Sequence, residues 1–236
     1  MKKKSSKQSK VKFQKLPKSL IAAFLVAVGV IVVWTALVIS GLKTYNPEDY
    51  DFNYVTLVNS ITVDGGSVDK PVALSIFDPG CLTCAESYRN EKDSGFFEKY
   101  TMRFVPFVIR NADGSGRFRN SEIIIRYILA VEQLKSGFAV ALIDRLFTGE
   151  HDGISYQVLF NDYYSHEEAT ATIEEWLLEF GLNDGAIVEV REVAGYPEIT
   201  TKTEENYEIV KNELKVNEVP VLIYDGKMKT GLYTSQ

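Results

Sequence analysis

The two cysteines of the chain, Cys81 and Cys84, stand three residues apart, directly after an uncharged run, Val72-Ala-Leu-Ser-Ile-Phe77, and the tripeptide Asp78-Pro79-Gly80. The run is short, apolar and opens after Pro71, which predicts a buried strand. Asp78-Pro79-Gly80 is turn chemistry. From Cys81 onward, Ala85, Glu86 and their successors favour a helix, extending to about Tyr100. Two cysteines at this spacing on a helix start share one face, so their sulfurs can bond. Cys81, expected to be exposed, also sits among unpaired backbone N–H groups at the positive end of the helix dipole, which favours a thiolate. A strand, a turn and a helix must therefore meet at a pair of sulfurs.

Charge divides the rest of the chain. The net charge is −6, but eight of the 26 basic residues lie in the first 18 positions, where there is no acid. All 32 acidic residues follow Pro47 and face only 18 basic ones, which argues against nucleic acid as a partner. Between the two parts runs Leu20–Leu42, 23 residues without charge. At 1.5 Å per residue this stretch spans a hydrocarbon core of about 30 Å. It predicts a basic cytoplasmic tail over 1–18, a transmembrane helix over 19–42 with Trp34, Lys18 and Lys43 as interfacial anchors, and a linker over 43–53. A cleaved signal peptide is the competing reading, but its apolar region should be shorter, and Val38-x-Ser40 is a poor cleavage site. The lysine asymmetry places residues 1–18 in the cytoplasm and Lys43 onward outside a cell membrane, in a compartment that permits disulfides.

The remaining elements are set by period and punctuation. Tyr54–Val63 reads as a strand, followed by the turn Asp64-Gly65-Gly66. Met102–Ile109 is a further strand, with Pro106 expected at an edge or bulge. From Ser121 the period changes to that of a helix, with Ser121 as its cap and Ile124, Tyr127, Ile128 and Val131 on one face. Gly137 breaks it; Phe138–Phe147 and Ile154–Tyr163 read as further helices. Ser165 with Glu168 is a capping box opening a helix to Phe180, stopped by Gly181. Ala186–Val193 is read as a helix in preference to a strand, and Thr203–Val216 as another. Pro220 opens the apolar strand Val221–Tyr224, and Asp225-Gly226 turns it into a hairpin.

At this point the chain resembles the thioredoxin superfamily, and within it the DsbA-like disulfide oxidoreductases. The matching residues are Phe77-Asp-Pro-Gly-Cys81-Leu-Thr-Cys84 after a buried strand and Glu218-Val219-Pro220-Val-Leu-Ile-Tyr-Asp-Gly226 before a final hairpin. Leu134–Phe147 is similar to the internal helices of that branch, and the likeness spans about Tyr54 to Tyr233. The resemblance implies an α/β fold: a thioredoxin-like sheet in one domain over 54–236, with a helical subdomain inserted at about 121–183 and one transmembrane helix ahead of it. It implies a cis Val219–Pro220 bond beside the sulfur pair, with the Val219 backbone able to hydrogen-bond an extended substrate. It further implies that Cys81 attacks and Cys84 resolves, with no dissociable cofactor and no metal. The expected partners are cysteine-containing exported proteins, with a membrane redox protein as a candidate electron partner.

Three features depart from the pattern. Leu82-Thr83 lacks the proline common between the cysteines, and Ser75 stands where many relatives carry a buried acid. Asn217-Glu218 replaces a glycine-containing approach to the cis proline, which would make the groove more negative. Other readings stay open. The cysteine pair as a structural disulfide would make the chain a redox-inactive, tethered binding or assembly module of the same fold. A zinc pair lacks ligands beyond His151 and His166, and a cysteine hydrolase would need one of those histidines as its base. Tyr88, Tyr163, Tyr164 and Trp176 fit core packing better than a peptide groove. Glu167-Glu168, Glu174-Glu175 and Glu204-Glu205 read as solvated helix faces.

The predicted topology has a direct readout. Protease added to intact cells should remove the bulk of the chain and leave a membrane-bound stub carrying residues 1–18. Protection of the bulk with residues 1–18 accessible overturns the orientation, and soluble release of the domain favours a cleaved signal.

Overall fold

An uncharged strand can be covered on both faces, and Val72–Phe77 is: Ala73 to Phe77 are all buried. The computed structural model describes residues 61–62, 70–135 and 137–233, all within the unit 47–236. The expected tail, transmembrane helix and linker, and most of the Tyr54–Val63 strand, lie outside the described residues. Among those described, no helix is long and apolar enough to cross a membrane.

In chain order the elements are β1 (Ile61–Thr62), β2 (Val72–Phe77), α1 (Leu82–Asp93), α2 (Phe96–Lys99) and β3 (Thr101–Pro106). Next come α3 (Ser121–Leu134), α4 (Phe138–Thr148) and a small hairpin of β4 (Glu150–His151) and β5 (Ile154–Ser155). The turn α5 (Tyr156–Val158) runs into a π-helical turn, Leu159–Tyr163, ahead of α6 (His166–Glu179) and α7 (Asp184–Ala194). Then α8 (Pro197–Glu208), with a second π turn at Ile209–Glu213, leads to β6 (Val221–Tyr224) and β7 (Lys227–Thr230). The strands form one sheet in the order β1-β3-β2-β6-β7, with β2 and β3 parallel and the other neighbours antiparallel. Central β2 thus delivers its C-terminal end, and the cysteine turn after it, to a position flanked by both β3 and β6.

Aromatic packing ties α1 to this sheet. Tyr88 meets Phe97, Phe104 and Phe147, while Phe77 meets Phe104 and Phe147 edge-on. Each such pair adds about 1 kcal/mol beyond the area it buries. The Tyr88 hydroxyl donates to Asp144 Oδ1 at 3.0 Å, fixing α1 against α4. Tyr88 and Trp176 are therefore core residues.

Several expectations change. The helix from Cys81 does not reach Tyr100: it ends at Asp93, because Gly95 takes a left-handed φ of 72° and restarts the chain as α2. Pro106 lies in no bulge, since it stands opposite Phe77 in regular register with β2. It is the last residue of β3, and the next amide, Phe107 N–H, closes the ladder onto Phe77 O at 2.8 Å. Ile154–Tyr163 is a strand end, a helical turn and a π turn in place of one helix. The helix expected from Thr203 starts earlier, at Pro197, whose ring suits the first helical position. Between β3 and β6 the helices extend past 183, through α7 and α8. Glu174 is not solvated: buried on α6, it accepts from the Tyr127 hydroxyl at 2.7 Å and from Arg191 Nε at 2.7 Å. The capping box at Ser165 and Glu168 forms as read.

Glu91 gives the fold a pH dependence. It points inward from α1 with 1% of its surface exposed, takes one hydrogen bond from Ser87 at 2.9 Å, and leaves Oε2 without a partner. Burial lifts its pKa from 4.5 to about 7. The folded value lies above the unfolded one, so the folded state holds a proton that the unfolded chain releases. Stability is fully kept below pH 4.5 and lost as pH rises through 7, by about 3 kcal/mol for this group. Glu91→Gln should flatten that loss in thermal melts taken between pH 4.5 and 8. A variant that keeps the wild-type pH slope overturns the assignment.

Candidate active site

The cysteine turn is built from local hydrogen bonds. Cys81 N–H donates to Asp78 O at 3.0 Å, closing the turn. Cys81 then serves as the N-cap of α1, with extended backbone angles, and its sulfur accepts from Cys84 N–H at 3.2 Å. Sulfur stands here where a serine or aspartate oxygen normally satisfies an orphan helix donor. Gly80 is required by space: a Cβ there would lie 2.4 Å from Phe118 Cβ and 2.8 Å from Asn161 Oδ1. Asn161, on the π turn, donates to Gly80 O at 2.7 Å.

Both cysteines are free thiols, and neither is as accessible as a helix start suggests: Cys81 is 7% exposed and Cys84 2%. The expectation of an exposed Cys81 is therefore corrected. The segment at Val219 closes over it, and the Cys81 thiol lies 3.8 Å from Val219 O as a donor. The Val219–Pro220 bond is cis, as the resemblance implied. Residues 138 positions apart are thus brought together at the end of the central strands.

The two thiols are chemically unlike. The hydrogen bond from the Cys84 side chain lowers the Cys81 pKa below the ordinary thiol value, and the Cys84 backbone N–H adds to this against the cost of burial. Cys84 goes the other way: burial, and then its hydrogen bond to Cys81, push its thiol well above the ordinary value. One sulfur is prepared to be an anion and the other to remain protonated.

Cys81 opens onto a groove of about 360 Å³ whose walls include Leu82, Ile109, Arg117, Phe118, Asn161 and Glu218. Leu82 is 55% exposed beside the sulfur pair. Glu218 does line the groove, but Arg117 faces the same space and offsets the expected negative charge. Neither histidine lines it. His151 sits in the β4–β5 hairpin, and His166 Nδ1 pairs with Asn120 Oδ1 at 2.7 Å, so neither histidine is placed to act as the base of a hydrolase.

Two residues with no site role in the sequence pattern also meet here. Asp78, expected as a turn former, is wholly buried. Its Oδ1 accepts from Gly80 N–H at 2.9 Å and from the Ser121 hydroxyl, and its Oδ2 accepts from Ile109 N–H at 2.8 Å. Ser121 is not the cap of α3. Asn120 holds that position without a capping bond from its side chain, and the Ser121 hydroxyl is spent on Asp78. A lone aspartate in a Pro-Gly turn carries no signal of this. A serine opening a helix reads as a cap whatever its hydroxyl faces.

No sequence-family model matches the chain, and no curated protein sequence matches it. Solved structures do. The thiol-disulfide exchange protein α-DsbA2 from Wolbachia pipientis superposes with a TM-score of 0.54 at 14% identity, over 78% of this chain and 85% of that one. A thioredoxin-like oxidoreductase from Silicibacter pomeroyi gives 0.53 at 14% identity, over 78% and 91%. MdbA, a thiol-disulfide oxidoreductase from Corynebacterium diphtheriae, gives 0.53 at 15% identity, over 72% and 88%. The fold is therefore thioredoxin-like, a mixed sheet with helices between β3 and β6, and it matches DsbA-like neighbours.

The asymmetry of the thiols predicts an order of modification. Iodoacetamide at limiting dose should alkylate Cys81 well before Cys84 in the reduced protein, resolved by peptide mass spectrometry. Equal rates, or faster Cys84, would contradict the assigned difference. Gly80→Ala should cost about 1–3 kcal/mol of stability through overpacking against Phe118, read by denaturant unfolding.

Proposed function

We propose that the chain is a membrane-anchored, extracytoplasmic thiol–disulfide oxidoreductase that exchanges disulfides with cysteine-containing exported proteins. One observation carries the chemistry. A thiol with a lowered pKa caps a helix at the floor of a groove, and a buried, protonated thiol one turn away is its hydrogen-bond partner. The anchor and the outward location rest on the sequence: the uncharged stretch Leu20–Leu42 and the lysines ahead of it.

In the reducing direction, the Cys81 thiolate attacks a substrate disulfide in line, forming a mixed disulfide and expelling one substrate thiolate. Cys84 then loses its proton and attacks the Cys81 sulfur. The Cys81–substrate bond breaks, the second substrate thiolate leaves, and a Cys81–Cys84 disulfide remains. The oxidising direction is the reverse: a substrate thiolate attacks Cys81 in the oxidised pair and Cys84 leaves. Two electrons move between substrate and protein in either direction, and a second thiol or disulfide partner returns the pair to its starting state. The lowered Cys81 pKa serves both directions, since it raises the thiolate fraction and improves Cys81 as a leaving group. Val219 O, already facing the Cys81 sulfur, offers an acceptor to the backbone of an extended substrate segment lying beside Pro220. Exposed Leu82 gives that segment an apolar contact.

Cys84→Ala should strand the mixed disulfide, because water does not replace a positioned thiol. Reductant-sensitive adducts of higher mass should accumulate on non-reducing gels from cells expressing it, and markedly fewer with Cys81→Ala. If Cys84→Ala stays free of adducts in cells with cysteine-containing exported proteins, the exchange reading fails and the tethered binding module takes its place.

A further inference from the structure

Asp78 has no exposed surface, yet it carries a carboxyl group at the root of the cysteine turn. Its main chain accepts from Cys81 N–H at 3.0 Å. Its side chain is held by donors from three segments: Gly80 in the turn, Ile109 beyond β3, and Ser121 at the start of α3. A group held in this way cannot swing away from the sulfurs when they change charge. Its negative charge opposes negative charge on Cys81 and on Cys84 alike.

We propose that Asp78 is a positioning residue that sets how readily the Cys81–Cys84 pair ionises, its carboxylate and the Cys81 thiolate each being held at the other's expense. The proposal deepens the exchange reading and rests on it. Asp78 bears on Cys81 and Cys84 at the start of α1, and Arg117, from the segment between β3 and α3, bears on Asp78. Arg117 favours the ionised carboxyl, as do the three hydrogen bonds. Burial outweighs them and brings the group to about 6. As pH falls through 6, Asp78 takes up a proton, the field opposing the Cys81 thiolate disappears, and the thiolate persists further into acid than a thiol beside a permanent charge would. Asp78 thus opposes the Cys81 thiolate while it is ionised, above about pH 6, and ceases to oppose it below.

The test is the pH dependence of Cys81 alkylation by iodoacetamide in the full chain, resolved by peptide mass spectrometry. It compares wild type, Asp78→Asn and Ser121→Ala. Removing the charge with Asp78→Asn should lower the apparent Cys81 pKa by about one unit. Ser121→Ala keeps the carboxyl but removes a donor to its ionised form, so it should shift the curve the same way by less. A merely structural Asp78 predicts the opposite sign, because loosening the turn weakens the hydrogen bonds from Cys84 to the Cys81 sulfur and raises its pKa. A rise in either variant, or no movement in both, overturns the proposal. If Asp78→Asn does not fold, Ser121→Ala decides alone. The readout is ionisation and not exchange, so it can succeed where trapping by Cys84→Ala fails, and the reverse.

Discussion

The hydrogen bond from Cys84 N–H to the Cys81 sulfur is the interaction on which the rest of this structure depends. A helix that begins without a capping oxygen must satisfy its first amides in some other way. Here the first amides meet sulfur, so the atom that terminates the helix is also the atom that reacts. Structure and reactivity draw on one contact. Anything that sharpens the cap, such as the closed turn at Asp78 or the tight fit at Gly80, also steadies the anion.

Sheet order makes this arrangement possible. The parallel pair of β2 and β3 sends both strand ends to the same edge of the sheet, while antiparallel β6 begins there. The cysteine turn, the segment at Ile109 and the segment at Val219 therefore converge without any of them being long. Buried aromatics from α1, β2, β3 and α4 hold that edge rigid. The helices from Ser121 onward approach from the side, bringing Ser121 and Asn161 against the turn.

How much of this could be read from the residues depended on the range of the force involved. Features with a local cause were legible: the uncharged β2, the capping box at Ser165, the stop at Gly181, the hairpin at Asp225-Gly226. So was the unlike chemistry of two sulfurs spaced along one helix start. Features decided by neighbours distant in sequence were not. Gly95 gave no sign that it would break a helix whose side chains continue to favour one. Glu174 looked solvated beside Glu175 because nothing in its own segment announces Tyr127 and Arg191. Cys81 looked exposed because the segment that covers it comes more than a hundred residues later. Asp78 and Ser121 each had a satisfactory local explanation, and the contact between them overrode both.

The π turn at Leu159–Tyr163 has a consequence for how the helical block can vary. A π turn carries one more residue than an α turn, and each residue added to or removed from a helix rotates the downstream chain by about 100°. Asn161 lies inside this turn, where its amide meets Gly80 O and its Oδ1 rests over the Gly80 Cα that no larger residue could occupy. The turn therefore acts as a phase adjuster between the helices on either side of it. Insertions in the loops on either side leave the amide on Gly80, whereas a residue added to the contiguous helical turn Tyr156–Val158 would rotate it away. A single deletion within the turn would bring the helix back to regular phase and swing the amide off its carbonyl. The loops of the block are free to drift in length, while these five residues are bound by angle to a turn some eighty positions earlier.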